Sequence, residues 1–187
     1  TSTESGDGKT FLSTNLASLY AMTGKKVLLI DFDLRKPNVH TKLGLENGSG
    51  ISNYLIGDCE LKDILVKDTP FGFDFMRAGT IPPNPGELVH ADKVAEMMVD
   101  LRQKYDFIIM DTSPIGLVPD AYALIEQSDM CLFVIRCMQT NKSFCKQTLE
   151  QMAEVIDSPE KVQLILSDIP TTGRHSYGSG YGYGYGG

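Results

Sequence analysis

The chain contains no apolar run approaching the roughly 20 residues that cross a bilayer, and no signal-peptide pattern opens it. Any membrane attachment is therefore expected to come from outside these 187 residues. It also lacks a CxxC pair and any Cys/His cluster with ligand-like spacing. Cys59, Cys131, Cys137 and Cys145, three of them in or near apolar runs, read as reduced core thiols in a reducing compartment. His40, His90 and His175 are scattered, with nothing beside them that suggests a metal site or a triad, so surface or helix-edge roles are expected. Nor is there an excess of positive charge. A formal charge of −7 and a pI near 4.9 exclude wholesale binding of nucleic acid or anionic lipid and leave room only for a local basic patch. What is present is 42% hydrophobic residues, enough for one domain with a sizeable core.

Val27-Leu28-Leu29-Ile30 and Phe107-Ile108-Ile109-Met110 are continuous apolar runs that each stop at an aspartate, the pattern of strands buried on both faces. Cys131 to Ile135 and Val162 to Leu166 are two further candidates, and the alternation of Phe71, Phe73 and Phe75 predicts a half-buried strand. Helical spacing links Leu12, Leu16 and Leu19 up to a stop at Gly24, then Val94, Met97, Met98 and Leu101, then Leu149, Met152, Val155 and Ile156. Strands alternating with helices predict an α/β fold, a mostly parallel sheet with helices on both faces. The expected organisation is one α/β domain over 1–170 and a flexible tail over 171–187. That tail holds seven of the 18 glycines and four of the eight tyrosines, with no aliphatic anchor.

Thr3-Glu4-Ser5-Gly6-Asp7-Gly8-Lys9-Thr10 matches the phosphate-loop pattern G-x-x-x-x-G-K-[ST], with Thr3 in place of the first glycine. Gly6 and Gly8 let the backbone curl so that successive N–H groups and a helix N-terminus face an anion. Nucleotide contact is expected from Gly6, Asp7, Gly8, Lys9, Thr10 and Phe11, with Lys9 bridging the β- and γ-phosphates of ATP and the Thr10 hydroxyl on Mg²⁺. The bland alternative is a Gly-rich turn before a helix. Because a strand feeds such a loop, at least one strand is expected ahead of residue 1. Asp31 and Asp33 follow a buried strand, where residues two apart point the same way, so both can face the carboxyl end of the sheet. One can hold the metal while the other accepts a proton from an attacking hydroxyl. Taken alone, such a pair is more often a turn or helix cap. Asp111 closes a Walker B arrangement whose carboxylate reaches Mg²⁺ directly or through water.

Together these segments resemble the bacterial tyrosine kinases of capsule and exopolysaccharide export, the BY-kinases, over nearly the whole chain. Ser5-Gly6-Asp7-Gly8-Lys9-Thr10 is similar to their loop Pro-Gly-Glu-Gly-Lys-Ser/Thr, and Asp31-Phe32-Asp33-Leu34-Arg35-Lys36-Pro37 to their Walker A′ motif. Asp111-Thr112-Ser113-Pro114 resembles their Asp-Thr-Pro-Pro, with Asp120-Ala121 following, and Asn84-Pro85-Gly86-Glu87-Leu88 resembles their Asn-Pro-x-Glu-Leu. The resemblance implies Lys9 and Thr10 on phosphates and Mg²⁺, Asp33 and Asp111 at the metal, and Asp31 as the base, the roles of Asp31 and Asp33 being exchangeable. Tyr177, Tyr181, Tyr183 and Tyr185 sit where the family autophosphorylates, between copies of a homo-oligomer. Ser167 departs from the pattern, standing where a strand-end Asn near the adenine is common. A membrane-spanning activator, fused or separate, a tyrosine phosphatase and polysaccharide-synthesis enzymes are the other partners implied, with no nucleic acid. The implied location is a cytoplasmic domain at the inner face of the bacterial membrane.

Two other readings stay open. Partition and cell-division-site ATPases share the fold and aspartates, but carry a signature lysine where Glu4 stands and lack a tyrosine-rich tail. The third reading is an ATP-dependent docking module on a membrane partner. For the kinase reading, Tyr-Gly repeats suit a substrate because glycine resists entry into a neighbouring site little. Four phosphates would add about −6 to −8 charges, so phosphorylation is expected to loosen an assembly by repulsion. Arg35 and Lys36 read equally as charges that neutralise phosphate or pair with a partner's acidic surface and as solvated charges after a strand. Tyr20, Tyr54, Tyr105 and Tyr122 are expected to pack.

Overall fold

The computed structural model describes residues 1–170. Strand β1 (Val27–Phe32) is buried along its whole length, which is why its apolar run does not alternate with polar residues. It pairs in parallel with β4 (Phe107–Thr112), from Val27 opposite Phe107 to Phe32 opposite Thr112. On its other side β1 pairs in parallel with β3 (Asp74–Met76), and the antiparallel β2 (Leu65–Val66) closes that edge. A second, two-stranded parallel sheet is formed by β5 (Cys131–Arg136) and β6 (Val162–Ser167).

Helices cover both faces. Leu28, Ile30 and Phe32 of β1 pack with Met97, Met98 and Leu101 of α5 (Asp92–Arg102) and Leu124 of α6 (Asp120–Glu126). Leu29 and Phe75 pack on the opposite side with Ala17 of α1 (Lys9–Met22) and Val39 of α2 (Val39–Lys42). A third cluster joins Phe133 of β5 to Cys145 and Met152 of α7 (Lys142–Val155), whose first turn is capped by Asn141 accepting from the Phe144 N–H at 3.0 Å. Two short helices, α3 (Ile51–Ile56) and α4 (Pro85–Val89), and two single 3-10 turns, Leu61–Asp63 and Pro159–Lys161, complete the described elements. The expected parallel α/β fold is what forms, and no helix of the described residues is long and apolar enough to cross a membrane.

Among the described residues no strand lies between β4 and β5. Thr1 and Ser2 run beside β5 there: Ser2 bridges Val134 in parallel, and the Thr1 carbonyl accepts from the Val134 N–H at 2.9 Å. Next to them is a cavity of about 510 Å³ whose lining includes Leu12, Leu16, Ile108, Met110, Leu124 and Leu132. The cavity explains why the apolar residues 107–110 of β4 stay only half-buried while β1 is wholly covered.

Two expectations need correction. The Phe71–Phe73–Phe75 alternation yields strand only from Asp74, because Gly72 at φ 83° turns the chain and the Thr69 hydroxyl, donating to the Phe73 carbonyl, closes that turn. Strand β1 ends at Phe32, so Asp33 lies beyond it and does not share Asp31's direction by pleating. The tyrosines expected to pack do so where contacts are seen: Tyr20 stacks on Phe107 at 3.9 Å between ring centroids, and Tyr54 lies under the Lys93 ammonium at 4.3 Å.

Candidate nucleotide site

The phosphate loop ends at the first residue of α1. Gly6 and Gly8 have φ of 93° and 101°, left-handed values that side chains rarely adopt, so glycine is required at both. Helix α1 has no side-chain cap and no acidic residue in its first turn. Its first N–H groups and the positive end of its dipole are therefore left for an external anion. Lys9 folds over the loop, its Nζ donating to Ser2 Oγ at 3.1 Å and to the Glu4 carbonyl at 3.4 Å. Burial lowers the Lys9 pKa, with Asp111 acting in the opposite direction. Phe11 is exposed on the first turn.

The carboxylates come from the ends of neighbouring strands. Asp31 and Asp111 are register partners across the β1–β4 pair. Thr10 donates its hydroxyl to Asp111 Oδ2 at 2.7 Å, tying the loop helix to the end of β4. Asp31 is fully buried, and its two oxygens accept the N–H groups of Asp33 and Val39, each at 3.2 Å. Burial, then the nearby Asp111, push its pKa up to about 7. The Asp111 carboxyl is likewise raised by burial, a shift opposed by the Thr10 hydrogen bond. Asp33 is only half-buried; its Oδ1 accepts from Ser113 Oγ at 2.7 Å and from the backbone N–H groups of Arg35 and Lys36 at 3.3 and 3.0 Å.

These residues fit magnesium. The donors are hard oxygens, and two adjacent ligands of an octahedral ion at roughly 2.1 Å lie about 3.0 Å apart, so the Thr10–Asp111 pair needs to open by only a few tenths of an ångström. Mutually repelling carboxylates at one end of the sheet are what a cation would neutralise. The Thr112 hydroxyl beside Asp111 and the Thr3 hydroxyl in the loop are also buried with no hydrogen-bond partner among the described residues. No group of three or more Asp, Glu, His or Cys forms a protein-only metal cage among the described residues. Magnesium usually needs none, because phosphates and water complete its shell.

Arg35 is neither free nor available to phosphate: it clamps Asp120 with Nε at 2.6 Å and Nη2 at 3.0 Å. Asp120 is buried at the start of α6, so this pair fixes the segment after Asp33 against that helix. Asp7 does not face the anion site, since its Oδ2 accepts from the Glu4 N–H and its Oδ1 from the Thr140 hydroxyl. Sequence reasoning missed Ser113, Thr140 and Arg136; a hydroxyl or guanidinium distant in sequence gives no local sign that it will meet the loop. Ser167 does approach the loop, with its Oγ 3.4 Å from the Asp7 carbonyl. Tyr177, Tyr181, Tyr183 and Tyr185 lie outside the described residues.

Residues 2–165 match the family model described as an AAA domain. The chain is 38% identical over 148 residues, 79% of its length, to the tyrosine-protein kinase YwqD of Bacillus subtilis, and spans 62% of that relative. It spans only 18% to 23% of several longer relatives. The kinase domain of the Escherichia coli tyrosine kinase ETK superposes with a TM-score of 0.86 at 30% identity, covering 98% of this chain and 71% of that one. The septum site-determining protein MinD of Pyrococcus horikoshii, solved with Mg-ADP, shares the fold more distantly, with a TM-score of 0.68 at 23% identity over 86% of this chain and 64% of that one. Its loop, its strand-end aspartates and these likenesses make the chain a member of the AAA-domain family and, within it, of the bacterial tyrosine kinases.

Proposed function

We propose that this domain transfers the γ-phosphate of ATP to tyrosine, first on the Tyr177, Tyr181, Tyr183 and Tyr185 cluster of another copy. The observation that carries the reading is the meeting of Thr10, Asp111, Asp31 and Asp33 beside an uncapped helix N-terminus. The loop amides and Lys9 hold the phosphates. Thr10, Asp111 and Asp33 hold Mg²⁺, which supplies positive charge against the triphosphate. The phenolic oxygen forms a bond to the γ-phosphorus, the bond from that phosphorus to the β,γ-bridging oxygen breaks, ADP leaves, and the phenolic proton passes to the Asp31 carboxylate. Burial beside Asp111 raises the Asp31 pKa to about 7 in the ligand-free site, the direction that brings a carboxylate toward the ambient pH at which a base works best.

The further parts of this reading are a homo-oligomer, a membrane-spanning activator and a place at the inner face of the bacterial membrane in capsule or exopolysaccharide production. A tyrosine phosphatase and polysaccharide-synthesis enzymes would act with it. A strand running between β4 and β5 into the loop also belongs to it, supported by the apolar cavity there. Domain limits of 1–170 and 171–187 follow from the same reading.

The test is mass-spectrometric mapping of phosphotyrosine after incubation with Mg-ATP, in the intact protein and its Lys9→Met variant, at several concentrations and with the activating partner. Phosphate on residues 177–185, rising with concentration and absent from the variant, is the expected result. Phosphate release without phosphotyrosine would instead favour an ATPase of the MinD type, and bound ATP without turnover a docking module.

A further inference from the structure

The phosphate loop is braced from behind by the turn between β5 and α7. Asp7, buried in the middle of the loop, turns its carboxylate away from the anion site. Its Oδ2 accepts the Glu4 N–H at 2.9 Å, closing the loop on itself, and its Oδ1 accepts the Thr140 hydroxyl at 2.7 Å. The same Thr140 hydroxyl oxygen accepts the Arg136 N–H at 2.8 Å, so it is oriented from both sides. Arg136 adds a second brace: its Nη1 donates to the Gly6 carbonyl at 3.1 Å, while its Nε is held by Asp168 Oδ2 at 3.1 Å. A carbonyl engaged on the outer side of the loop leaves the adjoining N–H groups to the inner side, where an anion needs them.

We propose that Thr140 and Arg136 are positioning residues for the bound polyphosphate: they act through Asp7 and Gly6 to hold the loop open as an anion cradle and to keep the Asp7 charge directed away from the ligand. The physical need is specific. A carboxylate inside a loop that binds a polyanion repels the ligand if it rotates inward, and a buried carboxylate deprived of a donor has reason to rotate. Thr140 removes that reason. The assignment changes the role of Asp7 from a nucleotide contact to a brace, and it rests on the reading of residues 3–10 as a phosphate loop.

Two measurements separate the brace from the loop reading. Without nucleotide, hydrogen exchange of the peptide covering residues 3–10 should accelerate in Thr140→Val, which removes the hydroxyl at nearly constant shape, while the β1 peptide is unchanged; Thr140→Ser should restore protection. With a fluorescent ATP analogue and magnesium, Thr140→Val should weaken binding about tenfold and Thr140→Ser about twofold or less, the loss of a hydrogen bond to a charged group being of that order. Asp7→Asn, whose amide can accept from Glu4 and donate to Thr140, should retain at least about tenfold more affinity than Asp7→Ala. That comparison also decides the matter if Thr140→Val does not fold. Unchanged loop exchange and affinity in Thr140→Val, or equal losses in Asp7→Asn and Asp7→Ala, would overturn the proposal. A parent protein that binds no nucleotide would sink the loop reading, while the exchange measurement would still judge the brace.

Discussion

The Thr10 hydroxyl donates to Asp111 Oδ2 at 2.7 Å, across 101 positions of sequence, with both residues buried. The bond joins the start of the loop helix to the end of β4 before any ligand arrives. Thr10→Ala leaves the Asp111 carboxylate in a site that already disfavours its charge. Two effects follow. Magnesium should lose most of its ability to tighten ATP binding, read by titrating nucleotide with and without the ion. The ligand-free protein should lose roughly 1–3 kcal/mol in denaturant unfolding, the usual cost of an unsatisfied buried acceptor. Thr10→Ser should recover both.

Asp31 makes stability depend on pH in an unusual direction for a carboxylate. Its folded-state pKa of about 7 lies above the unfolded value near 4, so between those two the folded state binds the extra proton. Its contribution is therefore present at low pH and is lost as pH rises from about 4 to about 7. Asp31→Asn should flatten that part of the stability profile, measured by urea unfolding from pH 4.5 to 8 in the absence of nucleotide. With Mg-ATP bound, the same substitution should slow phosphate transfer while leaving nucleotide affinity nearly intact, whereas Asp33→Asn should mainly weaken the magnesium requirement. The reverse pattern would exchange the two roles.

Much of this was legible in the sequence, for identifiable reasons. Residues 27–32 announce themselves because a strand covered on both faces carries a continuous apolar run, residues 107–112 show the same run although 107–110 are only half-buried, and Asp31 and Asp111 near the two strand ends mark the carboxyl end of the sheet. The loop is legible because only glycine tolerates the φ values found at Gly6 and Gly8. Asp33 was harder: its position was inferred from strand alternation, but the chain leaves the strand at Phe32 and the carboxylate is set by Ser113, 80 residues away. Arg35 was misjudged for a similar reason, since its partner Asp120 is 85 residues distant. Local periodicity reports which face a side chain lies on. It does not report which distant polar group will meet it.

The Arg35–Asp120 clamp should be worth more than an ordinary surface ion pair. It is bidentate, and Asp120 is almost wholly buried although Arg35 is 39% exposed. Arg35→Ala should cost about 2 kcal/mol, chiefly by stranding the Asp120 charge, and Arg35→Lys should recover only part because it cannot make the fork. Removing both partners should cost less than the sum of the single changes, a coupling that a double-mutant cycle in urea would measure. Gly86 sits against the same clamp, with an added Cβ falling 3.1 Å from Asp120 Oδ1, so Gly86→Ala should disturb it from the α4 side.

Gly116 gives the loop another support that its sequence neighbourhood does not advertise. A Cβ at this position would fall 2.5 Å from the Thr3 carbonyl oxygen and 3.0 Å from Thr148 Oγ1. The nearest obstacle is backbone, which cannot swing aside as a side-chain tip can. Gly116→Ala must therefore push the first residue of the phosphate loop, or the turn after Asp111, out of place. Both movements disturb the site, so affinity for Mg-ATP should fall by more than about tenfold, because the loop amides act only when they converge. Gly48→Ala is the control, since its added Cβ meets nothing closer than the Arg77 side chain at 3.9 Å. Equal nucleotide affinity in the two variants, measured on folded protein, would mean that the loop tolerates displacement at Thr3 and that its shape is fixed downstream, between Gly6 and Thr10.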